Sequence, residues 1–245
     1  MKLFFWSIFT HPLLDAFTAY GTQLFAPFSN YRVAFNSISV VDPIYTVPFI
    51  ICLVIASYIS RHKKSRRYVT YLGIALSSCY LLYTVFNKQR IDTIFAASLA
   101  KQKIEYQRFR TSPSIFNNIL WQGVAEAEDV YYMGMYSLFD SSPTVTFYPL
   151  EKKHELIQHL EDEQDIKILK WFSDGYYAVM PLSDGKFQLS DVRYGSVKEQ
   201  ATQPEDFVFR FIIDPKPAGI EVEEVRERDN AGDMFTVLFN RIKGK

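Results

Sequence analysis

The sequence predicts an α-helical membrane region followed by a small α+β domain with a mostly antiparallel sheet. Two uncharged apolar stretches, residues 43–60 and 68–86, carry the membrane prediction. At about 1.5 Å per residue, each is just long enough to cross a hydrocarbon core of about 30 Å. Beyond them, short runs of alternating apolar and polar residues are separated by turn residues, as in antiparallel strands. We therefore expect a membrane region over 1–87, a connecting amphipathic helix over 88–110 and a soluble domain over 111–245.

A further membrane-associated helix is expected at the N-terminus, ahead of the two predicted spans. The opening residues read MKLFFWSIF, a single Lys followed by a short apolar run. No small-x-small cleavage site follows, which argues against a signal peptide. The helix is expected to continue to about Tyr20, because Gly21 is a typical helix stop.

Charge is distributed very unevenly between the two predicted parts. Residues 1–87 hold seven Lys or Arg and only two acidic residues, so their net charge is +5. The whole chain has 27 basic and 27 acidic residues, so the remainder carries −5. A soluble part that is acidic and has no basic stripe argues against direct binding of nucleic acid.

The segment RHKKSRR, residues 61–67, lies between the two apolar stretches and carries five fixed positive charges. A short basic loop between two spans is expected in the cytoplasm. Binding of anionic lipid or nucleic acid is an alternative, but the orienting role is sufficient to explain the charge. With two spans, the soluble domain would then be extracytoplasmic, although Lys and Arg residues after the second span favour the opposite orientation.

The soluble part is predicted as short strands and two short helices. Residues 119–127 and 130–139 are expected to be strands joined at a Glu-Asp turn, and 144–148 a third strand. Residues 152–160 and 165–172 are expected to be helices. Strands on either side of Ser183-Asp184-Gly185 are expected to form a hairpin, because Asp-Gly favours tight turns. Residues 207–213 alternate as a further strand, 215–219 form a loop, and 234–242 are a strand or a helix.

Two features have simple structural explanations. Cys52 and Cys79 both lie in apolar runs, so they are expected to act as small hydrophobes in the membrane. The segment HELIQH resembles a zinc-binding helix, but His154 and His159 are five residues apart rather than four and would point to different faces. We interpret it as a solvated helix face.

His11 and Asp15 are the first candidate site residues, because residues four apart share one face of a helix. They could ligate one divalent metal, or the carboxylate could orient the imidazole. A simple hydrogen-bonded pair at a membrane edge is the alternative. Asp42, at the start of the first apolar stretch, is the third candidate.

The surrounding string resembles the membrane-bound metal-dependent hydrolases, also described as LexA-binding, inner-membrane-associated hydrolases. The resemblance covers about the first quarter of the chain. It is carried by the H-x-x-x-D at His11 and Asp15, Tyr20-Gly21, Pro27-Phe28-Ser29, Arg32, and the D-P-x-Y at 42–45. It implies an integral membrane protein of the bacterial inner membrane with metal-dependent hydrolytic activity. It carries over His11, Asp15 and Asp42 as candidate site residues, and we expect them to hold a divalent metal ion such as zinc, manganese or magnesium.

Members of this family usually carry a further motif upstream, of the H-R-x-x-T-H-S type, and no such motif occurs in this sequence. Either the start of the chain is truncated or misassigned, or this member has lost the N-terminal His-rich half of its site. A hydrolytic metal centre normally needs three protein ligands and an open position.

Two functions follow as expectations. The first is hydrolysis of an ester or phosphoester, lipid or envelope-related, at the membrane face. The second is a non-catalytic membrane-anchored protein whose soluble domain binds an unknown envelope partner. Membrane lipids are expected partners in both.

Overall fold

The computed structural model describes residues 2–217, 219–225 and 231–245, without the side chains of Lys2, Leu3, Ala231 and Asp233. The chain divides into two compact units. Unit 1 comprises Met1–Ile91 and Ser112–Asn118, and unit 2 comprises Asp92–Thr111 and Ile119–Lys245.

The helices α1 (Lys2–Asp15), α2 (Pro43–Tyr58) and α3 (Lys64–Lys101) dominate the first 101 residues. Among the described residues, α3 alone is both long and apolar enough to cross a membrane. Helix α2 has 16 residues, about 24 Å, and falls short of a hydrocarbon core. The prediction of two clear spans is therefore confirmed only for one candidate span.

Helices α2 and α3 pack closely through small residues. A Cβ added at Gly73 of α3 would lie 2.8 Å from the Cβ of Cys52 on α2, so no larger side chain fits there. Cys52 and Ala56 are buried on the same helix, and Cys79 of α3 is exposed. Small residues let helix backbones approach, which favours van der Waals packing where both helices carry apolar outer faces.

The segment between α1 and α2 has little regular structure but is held by backbone hydrogen bonds. Thr22 and Val33 exchange two of them, at 3.0 and 2.9 Å. Gly21 has a φ of +68°, and a Cβ there would lie 2.8 Å from the Cβ of Ala34. Helix α1 ends at Asp15 rather than near Tyr20.

Unit 2 is built on two four-stranded sheets, each with its strands in chain order. The first contains β1 (Arg108–Pro113), β2 (Leu120–Glu126), β3 (Val130–Ser137) and β4 (Phe147–Glu151). The second contains β5 (Tyr177–Pro181), β6 (Phe187–Ser196), β7 (Phe207–Lys216) and β8 (Gly219–Glu224). Neighbouring strands from β2 to β4 and from β5 to β8 pair antiparallel, which confirms the predicted sheet type.

A 3-10 helix at His154–Leu160, α4 (Gln164–Phe172) and α5 (Ala231–Ile242) complete unit 2. One apolar cluster lies between the sheets and includes Val124 and Met133 from the first and Val192 and Phe207 from the second. A second cluster joins the 3-10 helix and α4 to the outer face of the second sheet, through residues such as Ile157, Ile166 and Val179. The end of α3 packs on the first sheet, where the ring of Phe95 occupies the space above Gly123.

The structure differs from the sequence expectation between residues 88 and 110. Residues 88–101 continue α3, and β1 begins at Arg108. The helical spacing of apolar residues lapses after Leu99, the last fully buried position of the helix. Lys103 has a φ of +56°, a left-handed conformation typical of the residue after a helix, and the chain then enters β1 of the first sheet.

Candidate functional site

His11 and Asp15 lie together on the last turn of α1. The Nε2 atom of His11 is 3.3 Å from Oδ2 of Asp15. Both side chains are open to solvent, with exposed fractions of 77% and 48%. The pair thus presents one imidazole and one carboxylate, which is two of the ligands that a metal site needs.

Asp42 has a different environment, because it is the N-cap of α2 and only 2% exposed. Its Oδ1 atom accepts hydrogen bonds from the backbone N–H groups of Ile44 and Tyr45, at 2.9 and 3.3 Å. Its Oδ2 atom accepts one from the Tyr80 hydroxyl on α3, at 2.8 Å. Pro43 follows at the first helical position, where its missing N–H leaves no donor unsatisfied.

The described residues do not complete a metal site. Both oxygens of Asp42 already accept hydrogen bonds within unit 1, so this carboxylate is poorly placed to become a ligand. Among the described residues, no group of three or more His, Cys, Asp or Glu side chains could hold a metal ion. The assignment of His11, Asp15 and Asp42 as metal ligands stays a prediction. The hydrogen bonds of Asp42 do not favour its role as a ligand.

Asp42 belongs instead to a line of hydrogen-bonded polar groups inside unit 1, which we call the polar seam. The Thr84 hydroxyl of α3 lies 3.4 Å from that of Ser37. Asn87, one turn further, donates to the side-chain oxygen of Asn118 at 2.7 Å. Asn118 in turn donates to the Ser37 carbonyl at 2.7 Å. The seam comprises Ser37, Asp42, Tyr80, Thr84, Asn87 and Asn118.

Part of this seam is visible in the sequence as a spacing of polar residues, which we did not predict to be a polar contact. Tyr80, Thr84 and Asn87 are spaced by four and three residues, so they share one face of α3. A polar stripe inside an apolar helix must find partners within the protein. Those partners, at residues 37 and 118, are far away along the chain and could not be inferred.

Unit 2 holds a charged cluster at the edge of its first sheet. Glu126 of β2 accepts hydrogen bonds from Nε of Arg108 at 2.5 Å and Nζ of Lys152 at 2.8 Å. Burial alone would raise the pKa of Glu126, but the hydrogen bonds from Lys152 and Arg108 outweigh it and hold this pKa below its ordinary value. Arg108 also donates to the Asp174 carbonyl and lies 4.0 Å above the ring of Tyr176. The cluster therefore ties β1 and β2 to the turn before β5.

A second charged pair is fully buried within β6. Arg193 and Asp191 have side-chain exposures of 2% and 0% and approach to 2.6 Å. Arg193 also donates to the Phe172 carbonyl at the end of α4. Burial would lower the pKa of Arg193, but the Asp191 carboxylate outweighs this and raises it. This arginine therefore stays charged inside unit 2.

A cleft on unit 2 has a volume of about 490 Å³. It lies between the β2–β3 turn and the start of the 3-10 helix, and is lined by Glu128, Asp129, Val130, Glu151, Lys152, Lys153, His154 and Glu155. Lys152 and Lys153 pair with Glu126 and Glu151. Glu128, Asp129 and Glu155 form no ion pair with any described residue, so the cleft has a net negative lining.

The two histidines of HELIQH have separate surroundings. His154 stacks on the ring of Tyr177 with centroids 3.9 Å apart, and its Nε2 atom is 2.7 Å from the Tyr177 carbonyl. Burial lowers the pKa of His154. His159 instead meets the ring of Phe187 edge-on. Each imidazole is therefore explained by packing.

Comparison with known proteins places a membrane family over the first part of the chain. Residues 1–91 match the family described as YdjM inner membrane protein. No curated protein and no solved structure matches the chain. The family match agrees with α3 as a candidate span and supports membrane association, and it carries no statement about hydrolysis or metal binding. The first 91 residues are thus similar to an inner-membrane protein family.

Proposed function

We propose that this protein is a membrane-anchored binding protein, in which unit 1 is the anchor and unit 2 binds an envelope component. The observation that carries the proposal is the cleft of about 490 Å³ in unit 2. Its volume lies within the usual range of ligand sites, and its lining is negatively charged. A partner that presents positive groups would be favoured electrostatically.

The anchor would be the hairpin of α2 and α3 in a bacterial inner membrane. Apolar side chains such as Ile50, Ile51 and Leu72 are exposed on these helices, as lipid contact requires. Residues 61–67 would lie in the cytoplasm, because short basic loops are retained there. Crossing by both helices would put unit 2 on the extracytoplasmic side, and it would require the bilayer to thin locally around the 16 residues of α2. Reporter fusions after residue 63 and after residue 245 test this topology, and cytoplasmic activity of both would contradict it.

Site-specific photo-crosslinking of the full-length chain in cells tests the binding role. A photoreactive amino acid at Glu128 or Glu155 is expected to yield a discrete adduct, because both positions line the cleft. Asp162 is the matched control, since it is an acidic residue whose side chain is fully exposed outside the cleft. The adduct should disappear when the other cleft carboxylate is replaced by Lys. Equal adducts from Asp162, or none from either cleft position, would contradict the proposal.

A metal-dependent hydrolase acting on a lipid or envelope ester or phosphoester is the second candidate. The observation that favours it is the exposed His11–Asp15 pair at 3.3 Å. The pair supplies two ligands where such enzymes use three. Elemental analysis of detergent-purified protein decides the question, with His11→Ala and Asp15→Ala as variants. Near-stoichiometric divalent metal that both variants lose would favour the hydrolase, and its absence from all forms would favour the binding protein.

A further inference from the structure

The loop between α2 and α3, together with the first turn of α3, concentrates positive charge that no described residue pairs with. Arg61, Lys63, Lys64, Arg66 and Arg67 lie within seven residues. All of them except the half-buried Arg66 are exposed. None of the five forms an ion pair with any described residue. We call these five residues the basic loop.

Unit 1 cannot supply the missing negative charge itself. Its acidic residues are Asp15 and Asp42 alone. Asp15 faces His11 at 3.3 Å, and both oxygens of Asp42 are engaged by backbone amides and Tyr80. The counter-charge for the basic loop must therefore come from outside the unit.

The first turn of α3 increases the need for negative charge beside the basic loop. Lys64, Arg66 and Arg67 occupy its first turn, which contains no acidic residue. The N-terminus of a helix already carries partial positive charge, so cations there are unfavourable unless an anion compensates them. This arrangement is opposite to the usual preference for Asp and Glu in a first helical turn.

The position of the loop indicates which anion is available. It joins the ends of two helices with exposed apolar faces, at Tyr58 of α2 and Lys64 of α3. Tyr58 and Tyr68 flank it with exposed fractions of 86% and 69%. Exposed tyrosines at helix ends are typical of headgroup depth, where the abundant anion is lipid phosphate.

We propose that the basic loop binds the phosphate groups of anionic lipid headgroups, as a lipid site in addition to its orienting role. This inference rests on the membrane anchoring proposed above and is independent of what unit 2 binds. Lysine and arginine both suit phosphate, arginine through paired hydrogen bonds and lysine as a point charge.

Native mass spectrometry of the full chain in dodecyl maltoside micelles tests this site, with phosphatidylglycerol and phosphatidylcholine of identical acyl chains as probes. In micelles the topology of insertion has no influence, which separates lipid binding from orientation. The wild type should retain phosphatidylglycerol and release phosphatidylcholine. Lys63→Gln with Lys64→Gln should weaken phosphatidylglycerol retention about tenfold or more. Lys101→Gln with Lys103→Gln is the matched control, because it removes two exposed charges from unit 2.

Three results would overturn the inference. The first is equal retention of the two lipids by the wild type. The second is an equal loss of retention in the control variant. The third is displacement of phosphatidylglycerol by inorganic phosphate at matched concentration, which would make free phosphate the ligand. If the loop variant does not fold, phosphatidylglycerol retention by the wild type is measured at increasing salt concentration instead. Retention must fall as salt rises, and retention that is independent of salt would overturn the inference. None of these results affects the crosslinking result for unit 2, so failure of the lipid proposal can be distinguished from failure of the proposed function.

Discussion

The two units of this protein satisfy their buried carboxylates in different ways. In unit 1, Asp42 accepts hydrogen bonds from neutral donors, namely two backbone amides and the Tyr80 hydroxyl. In unit 2, Glu126 and Asp191 are each matched by arginine or lysine. The same chain therefore uses neutral polar partners in its apolar helical unit and ion pairs in its two-sheet unit.

This difference follows from the surroundings of each unit. The helices of unit 1 present apolar faces outward, and where such faces meet lipid every polar group must find its partner inside the protein. A charged side chain there carries a high desolvation cost, whereas hydroxyls and amides cost less. Unit 2 exposes charged side chains on its surface, and partly solvated ion pairs can form at its sheet edges. Residues that look alike in the sequence, such as the aspartates, consequently have different roles.

The largest effect is expected at the buried pair of β6. Asp191→Ala should lower the free energy of unfolding by about 3–5 kcal/mol, because it leaves the Arg193 charge uncompensated inside unit 2. Fluorescence during denaturant unfolding in a Trp6→Phe background measures this, since Trp121 and Trp171 then report on unit 2. As a control, Asp191→Leu with Arg193→Met removes both charges and should retain most of the stability. A double variant as unstable as Asp191→Ala would refute the ion-pair explanation.

Asp42 should give the next largest effect. Asp42→Ala removes the N-cap of α2, worth about 0.5–2 kcal/mol. It also leaves the Tyr80 hydroxyl without its acceptor, for a combined loss of about 2–3 kcal/mol. Asp42→Asn keeps an oxygen for the two amides and an N–H₂ group beside Tyr80, and should lose less than about 1 kcal/mol. The measurement is the midpoint of thermal denaturation in detergent. Equal losses from Ala and Asn would show that the negative charge matters rather than the hydrogen bonds.

A smaller effect, about 1–2 kcal/mol, is expected for Glu126→Gln in unit 2, because two charge-assisted hydrogen bonds become neutral ones. The pKa of Glu126 is lower in the folded protein than its ordinary value of 4.5. The stabilisation is thus present above that value and is lost as pH falls through it towards the folded pKa. Thermal midpoints of the wild type should fall from neutral to acidic pH, and Glu126→Gln should show a shallower decline. Parallel curves for the two proteins would contradict this.

The smallest effect is expected for Tyr80→Phe, about 1 kcal/mol, since a single hydrogen bond to Asp42 is lost. Tyr83→Phe is the control, because Tyr83 is a neighbouring, exposed tyrosine whose ring lies 5.9 Å from that of Tyr80. Thermal denaturation in detergent should separate the two variants. Equal shifts for both would remove the support for the Asp42–Tyr80 bond.

Several strands and turns of unit 2 could be predicted because their signals are local. Alternation and the Glu128–Asp129 turn located β2 and β3, and the Asp184–Gly185 dipeptide located the hairpin of β5 and β6. Asp184 and Gly185 indeed have φ angles of +69° and +74°, which tight turns require. By contrast, β8 was not predicted, since the loop expected over 215–219 reaches only its first residue, and its pairing with β7 depends on tertiary context.

The candidate site was harder to predict because one residue type serves two purposes. An aspartate before a proline at the start of a helix is a typical N-cap, and the same residue was also our candidate metal ligand. The contacts with Ile44, Tyr45 and Tyr80 show the N-cap role, and the role of metal ligand stays a prediction. The His11–Asp15 pair was predictable from its spacing alone, since it lies within one helix.

The most direct test of the role of Asp42 is the difference in thermal midpoint between the wild type and Asp42→Ala, measured before and after chelation of divalent metals with EDTA. Hydrogen bonds to backbone amides and to Tyr80 do not depend on a metal, so we predict the same difference in both conditions. A metal ligand would stabilise the protein only while the metal is bound. A difference that vanishes after chelation would contradict our account and restore Asp42 to a metal site.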